Sequence, residues 1–155
     1  MSRGRNKGVV DCMGFENLKK DLLAKLSAMS DIVAYIEEKS PQIIEDYKAR
    51  LIEKVDELAI NTQIDDQRIA AEVTMYADKV CVDEEVVRLR SHIDSTIKIL
   101  TEGGAVGRKL DFIVQEMNRE ANTILSKANS LIISDKGIDL KTEIEKVREQ
   151  IQNIE

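Results

Sequence analysis

Apolar residues return every three or four positions along nearly the whole chain, and this period limits the fold more than any other feature. Leu18, Leu22, Leu26, Met29, Val33 and Ile36 recur at steps of four, four, three, four and three, the repeat of one face of an α-helix. Ser40 then precedes Pro41, a capping residue before a proline suited to a first helical turn. A second helix is therefore expected, with Ile44, Tyr47, Leu51, Val55 and Leu58 on its apolar side. Asn61 to Asp66 reads as a connector, with Asp65 or Asp66 capping a third helix through Ile69, Val73 and Tyr76 to about Val80. A fourth opens on Asp83, Glu84 and Glu85, acids placed where the helix dipole favours them. Its apolar side is Val86, Leu89, Ile93, Ile97 and Leu100, and Gly103-Gly104 stops it. The fifth starts near Ala105 and carries Leu110, Ile113, Met117, Ala121, Ile124 and Ala128. Ser134 to Gly137 breaks the pattern, and the last helix carries Leu140, Ile144, Val147, Ile151 and Ile154 at heptad spacing.

Long helices with short connectors and no strand signal imply an all-α fold: a long helical hairpin plus a small helical bundle. Aromatic residues at 3% and a single proline agree, because a β-sandwich of this length uses more of both aromatic and turn residues. The first two helices, joined tightly at Ser40-Pro41, are expected to project as the hairpin. Such a hairpin buries little by itself and gains stability from a partner, so an oligomer is expected. Three segments follow: a disordered basic stub over 1–15, the hairpin and its connecting helix over 16–80, and a C-terminal helical domain carrying the site over 81–155. No apolar run approaches the roughly 20 residues that span a bilayer. No signal peptide is visible, and Cys12 and Cys81 are too few for a disulfide framework or a zinc site, so the expected location is cytoplasmic. A net charge of −6 argues against a nonspecific nucleic-acid binder working through bulk electrostatics, while leaving room for a local basic patch.

Candidate chemistry gathers on the polar sides of the last three helices. At about 100° per residue, Gln115, Arg119, Asn122 and Ser126 share one stripe of the fifth helix, with Arg108 in line and Glu116 and Thr123 beside it. These are side chains with directed donors and acceptors, unlike the Lys and Glu of an ordinary solvated face. Glu116 and Glu120, four apart, read either as hard-oxygen ligands sharing a divalent cation or as an acidic edge pairing with Arg119 or Lys127. On the fourth helix Glu85, Arg88 and His92 line one side; His92, the single histidine, reads as a general acid or base or as a structural residue. The last helix adds Lys141, Glu145, Arg148, Gln152 and Glu155, with Glu149 one turn beyond Glu145, a set that i,i+4 ion pairing also explains. Convergence of the three faces would join metal ligands, a proton carrier and phosphate-binding arginines, a set suited to phosphodiester cleavage. Stacking platforms for bases are nearly absent from the composition, and Gly103-Gly104-Ala105-Val106-Gly107-Arg108-Lys109 lacks the order of a P-loop.

The segments Glu85 to Ile93, Gly103 to Phe112, Gln115 to Thr123 and Lys141 to Glu155 closely resemble the C-terminal part of YicC-type proteins. Asn17-Leu18-Lys19-Lys20-Asp21-Leu22 is similar to the start of that family's long helical hairpin, so the resemblance covers roughly residues 16–155. It implies a bacterial endoribonuclease, dependent on a divalent metal cation (Mn²⁺ or Mg²⁺) and assembled as a homo-oligomer, a hexamer in the family. Members of the family usually carry a substantial N-terminal domain where this chain has a short basic stub, so it reads as a truncated gene product, a fragment or a stand-alone version. The expected function is metal-dependent cleavage of single-stranded RNA, the alternative a non-catalytic helical oligomerisation or RNA-binding module. His92, Gln115, Glu116 and Arg119 are the catalytic candidates, and Glu116, Glu120, Glu145 and Glu149 the metal candidates. Arg88, Arg90, Arg108, Lys109, Asn122 and Lys127 are the candidates for RNA contact.

Overall fold

A computed structural model describes residues 7–58, 66–104 and 106–153, with side chains from residue 14 onward. Five helices account for the described elements: α1 (Lys7–Glu57), α2 (Asp66–Val80), α3 (Asp83–Glu102), α4 (Gly107–Lys127) and α5 (Leu131–Gln152). The all-α expectation holds, and no strand occurs among the described residues. No helix of the described residues is long and apolar enough to cross a membrane.

The largest departure from the sequence reading lies in α1. It runs as one helix of 51 residues with Pro41 inside it, where a tight turn between two helices was expected. The apolar period explains why. From Ile36 it passes in phase through Ser40 to Ile44, Tyr47, Leu51 and Val55, so one stripe serves both halves. Pro41 has no N–H to give Glu37, at a cost of about 3 kcal/mol. The Ser40 hydroxyl donates to the Ile36 carbonyl at 2.7 Å, occupying one acceptor of the weakened turn. The helix also begins at Lys7, well inside the stretch read as a disordered stub; residues 1–6 of that stub lie outside the described residues.

The projecting hairpin exists, but its arms are the second half of α1 and α2. Tyr47 and Tyr76 stack between them with ring centroids 3.7 Å apart and planes 7° from parallel. The expected connector over 61–65, including Asp65, falls outside the described residues, and α2 begins at Asp66. The first half of α1 has a different role. Leu22, Leu26, Met29, Val33 and Ile36 are completely buried, and they share one core with Leu89 and Ile93 of α3, Leu110 and Met117 of α4, and Leu140 and Ile144 of α5. Each such burial contributes about 1.5–3 kcal/mol. The core therefore crosses the boundary drawn at residues 80 and 81.

Helix ends place the remaining elements. Gly103 and Gly104 terminate α3 at φ 74° and 91°, a backbone that side-chain-bearing residues rarely adopt. The expected break at Ser134–Gly137 is instead helical, and the chain turns earlier, at Ala128–Ser130. Gly137 is packed rather than punctuating: a Cβ there would lie 2.6 Å from Leu125 Cδ2, so its absence lets α5 approach α4 closely. α4 packs against α3 on one flank and α5 on the other, and α1 closes the bundle by packing against both α3 and α5.

Candidate functional site

Four charged residues join α3 to α4. Glu85 is 2% exposed and Glu120 is 6% exposed, so both carboxylates need cations to offset lost hydration. Lys127 Nζ donates to Glu85 Oε1 at 2.8 Å and to the Cys81 carbonyl at 3.1 Å. Arg88 Nε donates to Glu120 Oε1 at 2.8 Å, and its other nitrogens reach Glu84 at 3.3 Å and Glu85 at 3.6 Å. The bond to Glu85 raises Lys127 above its ordinary pKa of 10.5, and the bond to Glu120 likewise raises Arg88. Glu85 Oε2 is buried with no hydrogen-bond partner among the described residues. These residues hold the two helices in register. Pairs 85–127 and 88–120 run antiparallel, so the next turn brings half-buried His92 level with half-buried Glu116.

The outer face of α4 is different in kind. The buried stripe of this helix is Leu110, Val114, Met117, Ala121 and Ile124. Ile113, read as core, is only partly buried at its edge, whereas Val114 and Glu120 are buried. On the opposite side Arg108, Lys109, Phe112, Gln115, Arg119, Asn122 and Ser126 are all exposed. Arg119 lies directly across the helix from the centre of the buried stripe. Gln115 Nε2 donates to Asp111 at 3.2 Å, and Ser126 Oγ to the Thr123 carbonyl at 2.9 Å. Arg108, Lys109 and Arg119 have no ion pair among the described residues. Against three cations this face sets two acids, Glu116 on the α3 side and Asp111 on the other, the second engaged by Gln115.

The expected sets thus separate. Of the RNA-contact candidates, Arg108, Lys109 and Asn122 stand free on the outer face of α4. Arg88 and Lys127 answer buried acids, and Arg90 pairs with Glu37 of α1. The catalytic candidates His92, Gln115, Glu116 and Arg119 lie along α3 and α4. The four metal candidates do not gather. Glu120 faces α3 through Arg88, and Glu116 lies on that same flank of α4. Glu145 and Glu149 are exposed on α5, which packs against the other flank, and Glu145 pairs with Arg148 at 4.0 Å. No group of three or more His, Cys, Asp or Glu among the described residues is placed to hold a metal ion. Glu116 and Glu120 keep the one-turn spacing of the expected pair, with Glu120 already held by Arg88. Glu155 and Ile154 lie outside the described residues.

Two residues escaped the sequence reading. Glu85 looked like a polar-face acid, yet the partner that buries it, Lys127, is 42 positions away and invisible to helical periodicity. Phe112 was legible: it follows Arg108 by four and precedes Arg119 by seven, which puts it on the polar stripe rather than in the core. It is 64% exposed.

Comparison with known proteins assigns the chain to a family. Residues 36–155 match the family model described as "Endoribonuclease YicC-like, C-terminal". The chain is 40% identical over 141 residues to a Clostridioides difficile protein named "Probable endoribonuclease YicC", covering 90% of this chain and 48% of that protein. A Haemophilus influenzae protein of the same name is 37% identical over 140 residues, again 90% of this chain and 48% of the relative. The chain thus spans about half the length of the curated relatives it matches. It belongs to the YicC-like endoribonuclease family and corresponds to that family's C-terminal part.

Proposed function

We propose that this chain acts on RNA as the C-terminal helical part of an endoribonuclease, with the outer face of α4 holding a single strand. The observation that carries this reading is the exposed stripe from Arg108 to Ser126, cationic in a chain whose net charge is −6. Arg108, Lys109 and Arg119 are free to pair with phosphates, Arg by a bidentate fork and Lys as a point charge. Gln115 and Asn122 add directed amide groups between them. Cleavage of a phosphodiester also needs a proton moved, and His92, level with Glu116 beside this face, is the residue assigned to it. Glu116 and Glu120 are the carboxylates that would hold a divalent cation beside this face, and no step is assigned to it. Metal dependence is read directly in the assay.

Labelled single-stranded RNA is incubated with the full chain in Mn²⁺ or Mg²⁺ and, separately, in EDTA. Cleavage lost in His92→Ala and Glu116→Ala, with helicity unchanged by circular dichroism, supports the assigned roles; undiminished cleavage rejects them. Loss in EDTA alone establishes the metal requirement. A second reading, an RNA-binding or oligomerisation module without catalysis, uses the same exposed stripe of α4 to hold a strand and assigns no proton carrier. It predicts RNA binding without cutting under every condition.

Self-association as a homo-oligomer belongs to the same proposal. Leu131, Ile132 and Ile138 are 77%, 51% and 55% exposed along the start of α5. Leu131 and Ile132 border a groove that Ile43, Asp46 and Arg50 of α1 also line.

A further inference from the structure

Single exposed hydrophobic residues are ordinary on protein surfaces, but Phe112 occupies an unusual place. It is 64% exposed near the middle of the cationic face of α4. Arg108 lies one turn before it, about 6 Å along the axis, and Arg119 two turns after it, about 10 Å along. Lys109 flanks it, and among the described residues no ring or cation lies over its own ring. The other strongly exposed apolar side chains of α3, α4 and α5 among the described residues, Val87 on α3 and Leu131, Ile132 and Ile138 on α5, are aliphatic. An uncovered aromatic ring between arginines has the chemistry of a single-strand binding surface, where cations track the backbone and rings stack on bases. A duplex keeps its base faces covered, so such a ring selects unpaired nucleotides.

We infer that Phe112 is a base-stacking platform, and that it makes the outer face of α4 specific for single-stranded RNA rather than for polyanions in general. This rests on the proposed assignment of that face to RNA. Sequence composition, with few aromatic residues overall, argues against stacking as a general mode of recognition; one well-placed ring is enough for one base.

The chain contains no tryptophan, so Phe112→Trp introduces a single fluorophore at the platform. Short oligoadenylate is expected to quench it, and an abasic strand with the same number of phosphates is not. Phe112→Ala is expected to weaken oligoadenylate binding by about 5- to 100-fold, with abasic-strand affinity unchanged. Equal affinity of Phe112→Ala and wild type for oligoadenylate, while Arg108→Ala and Arg119→Ala lose binding, overturns the platform and leaves the RNA face standing. Unchanged binding in all three variants overturns the RNA assignment as well. Dissociation of an oligomer by Phe112→Ala, with RNA affinity per chain intact, makes the ring a subunit contact and also overturns the inference.

Discussion

Glu85 is held in the α3–α4 seam by Lys127 at 2.8 Å and, more loosely, by Arg88 at 3.6 Å. Removing one partner of a buried pair leaves an uncompensated charge, which is expensive. Lys127 is one-third exposed, so the loss falls below the figure for a fully dry pair. Lys127→Met is expected to lower the unfolding free energy by about 2 kcal/mol, read as a shift in the urea midpoint. The pH dependence follows from the raised Lys127 pKa. Its contribution is complete below the unfolded value of 10.5 and is lost as pH climbs through the higher folded value. The gap between wild type and Lys127→Met should therefore be constant through neutral pH and shrink in strongly alkaline buffer. At this scale the sequence was only half legible. Periodicity put Glu85 and Glu120 beside the core without separating surface from seam, because burial of an acid depends on a cation carried by another helix.

Pro41 decides how α1 should be read. A proline after a serine fits a helix start, and the local signal points to a turn. The neighbouring signal, an apolar stripe that keeps its phase from Ile36 to Val55, points to continuity, and tertiary packing on both sides makes continuity win. Met29 and Ile36 are pinned in the core, and Tyr47 is pinned by Tyr76. Because the helix passes through residue 41, an exposed alanine there removes a penalty and breaks nothing. Pro41→Ala is expected to stabilise the chain by about 1–3 kcal/mol, with a higher urea midpoint and unchanged or increased helicity. A lower midpoint would show that a turn at Ser40-Pro41 is the native geometry. The same contrast explains Gly137, where a glycine taken for a break is a contact with Leu125 that no single-helix pattern reveals.

For the whole molecule, fold class and family were legible from the repeat and from the resemblance of residues 16–155, while the joining of sites was not. A wheel shows which residues share a helix face. It does not show that α4 lies between α3 and α5, and that arrangement parts Glu116 and Glu120 from Glu145 and Glu149. If the aliphatic patch at the start of α5 is a subunit contact, Leu131→Asp should reduce the mass found by sedimentation velocity; an unchanged mass would move the contact elsewhere. The outer face of α4 remains the feature on which the functional account depends. Its most direct test is the salt dependence of single-stranded RNA affinity for wild type and for the Arg108→Ala, Arg119→Ala double variant. Each phosphate neutralised on a single strand releases counterions and contributes about 0.7 to the slope of log affinity against log salt. The account predicts at least tenfold weaker binding at low salt and a slope shallower by about 1.4, two phosphates' worth. Equal affinities and equal slopes would mean that RNA, if bound at all, lies on another surface.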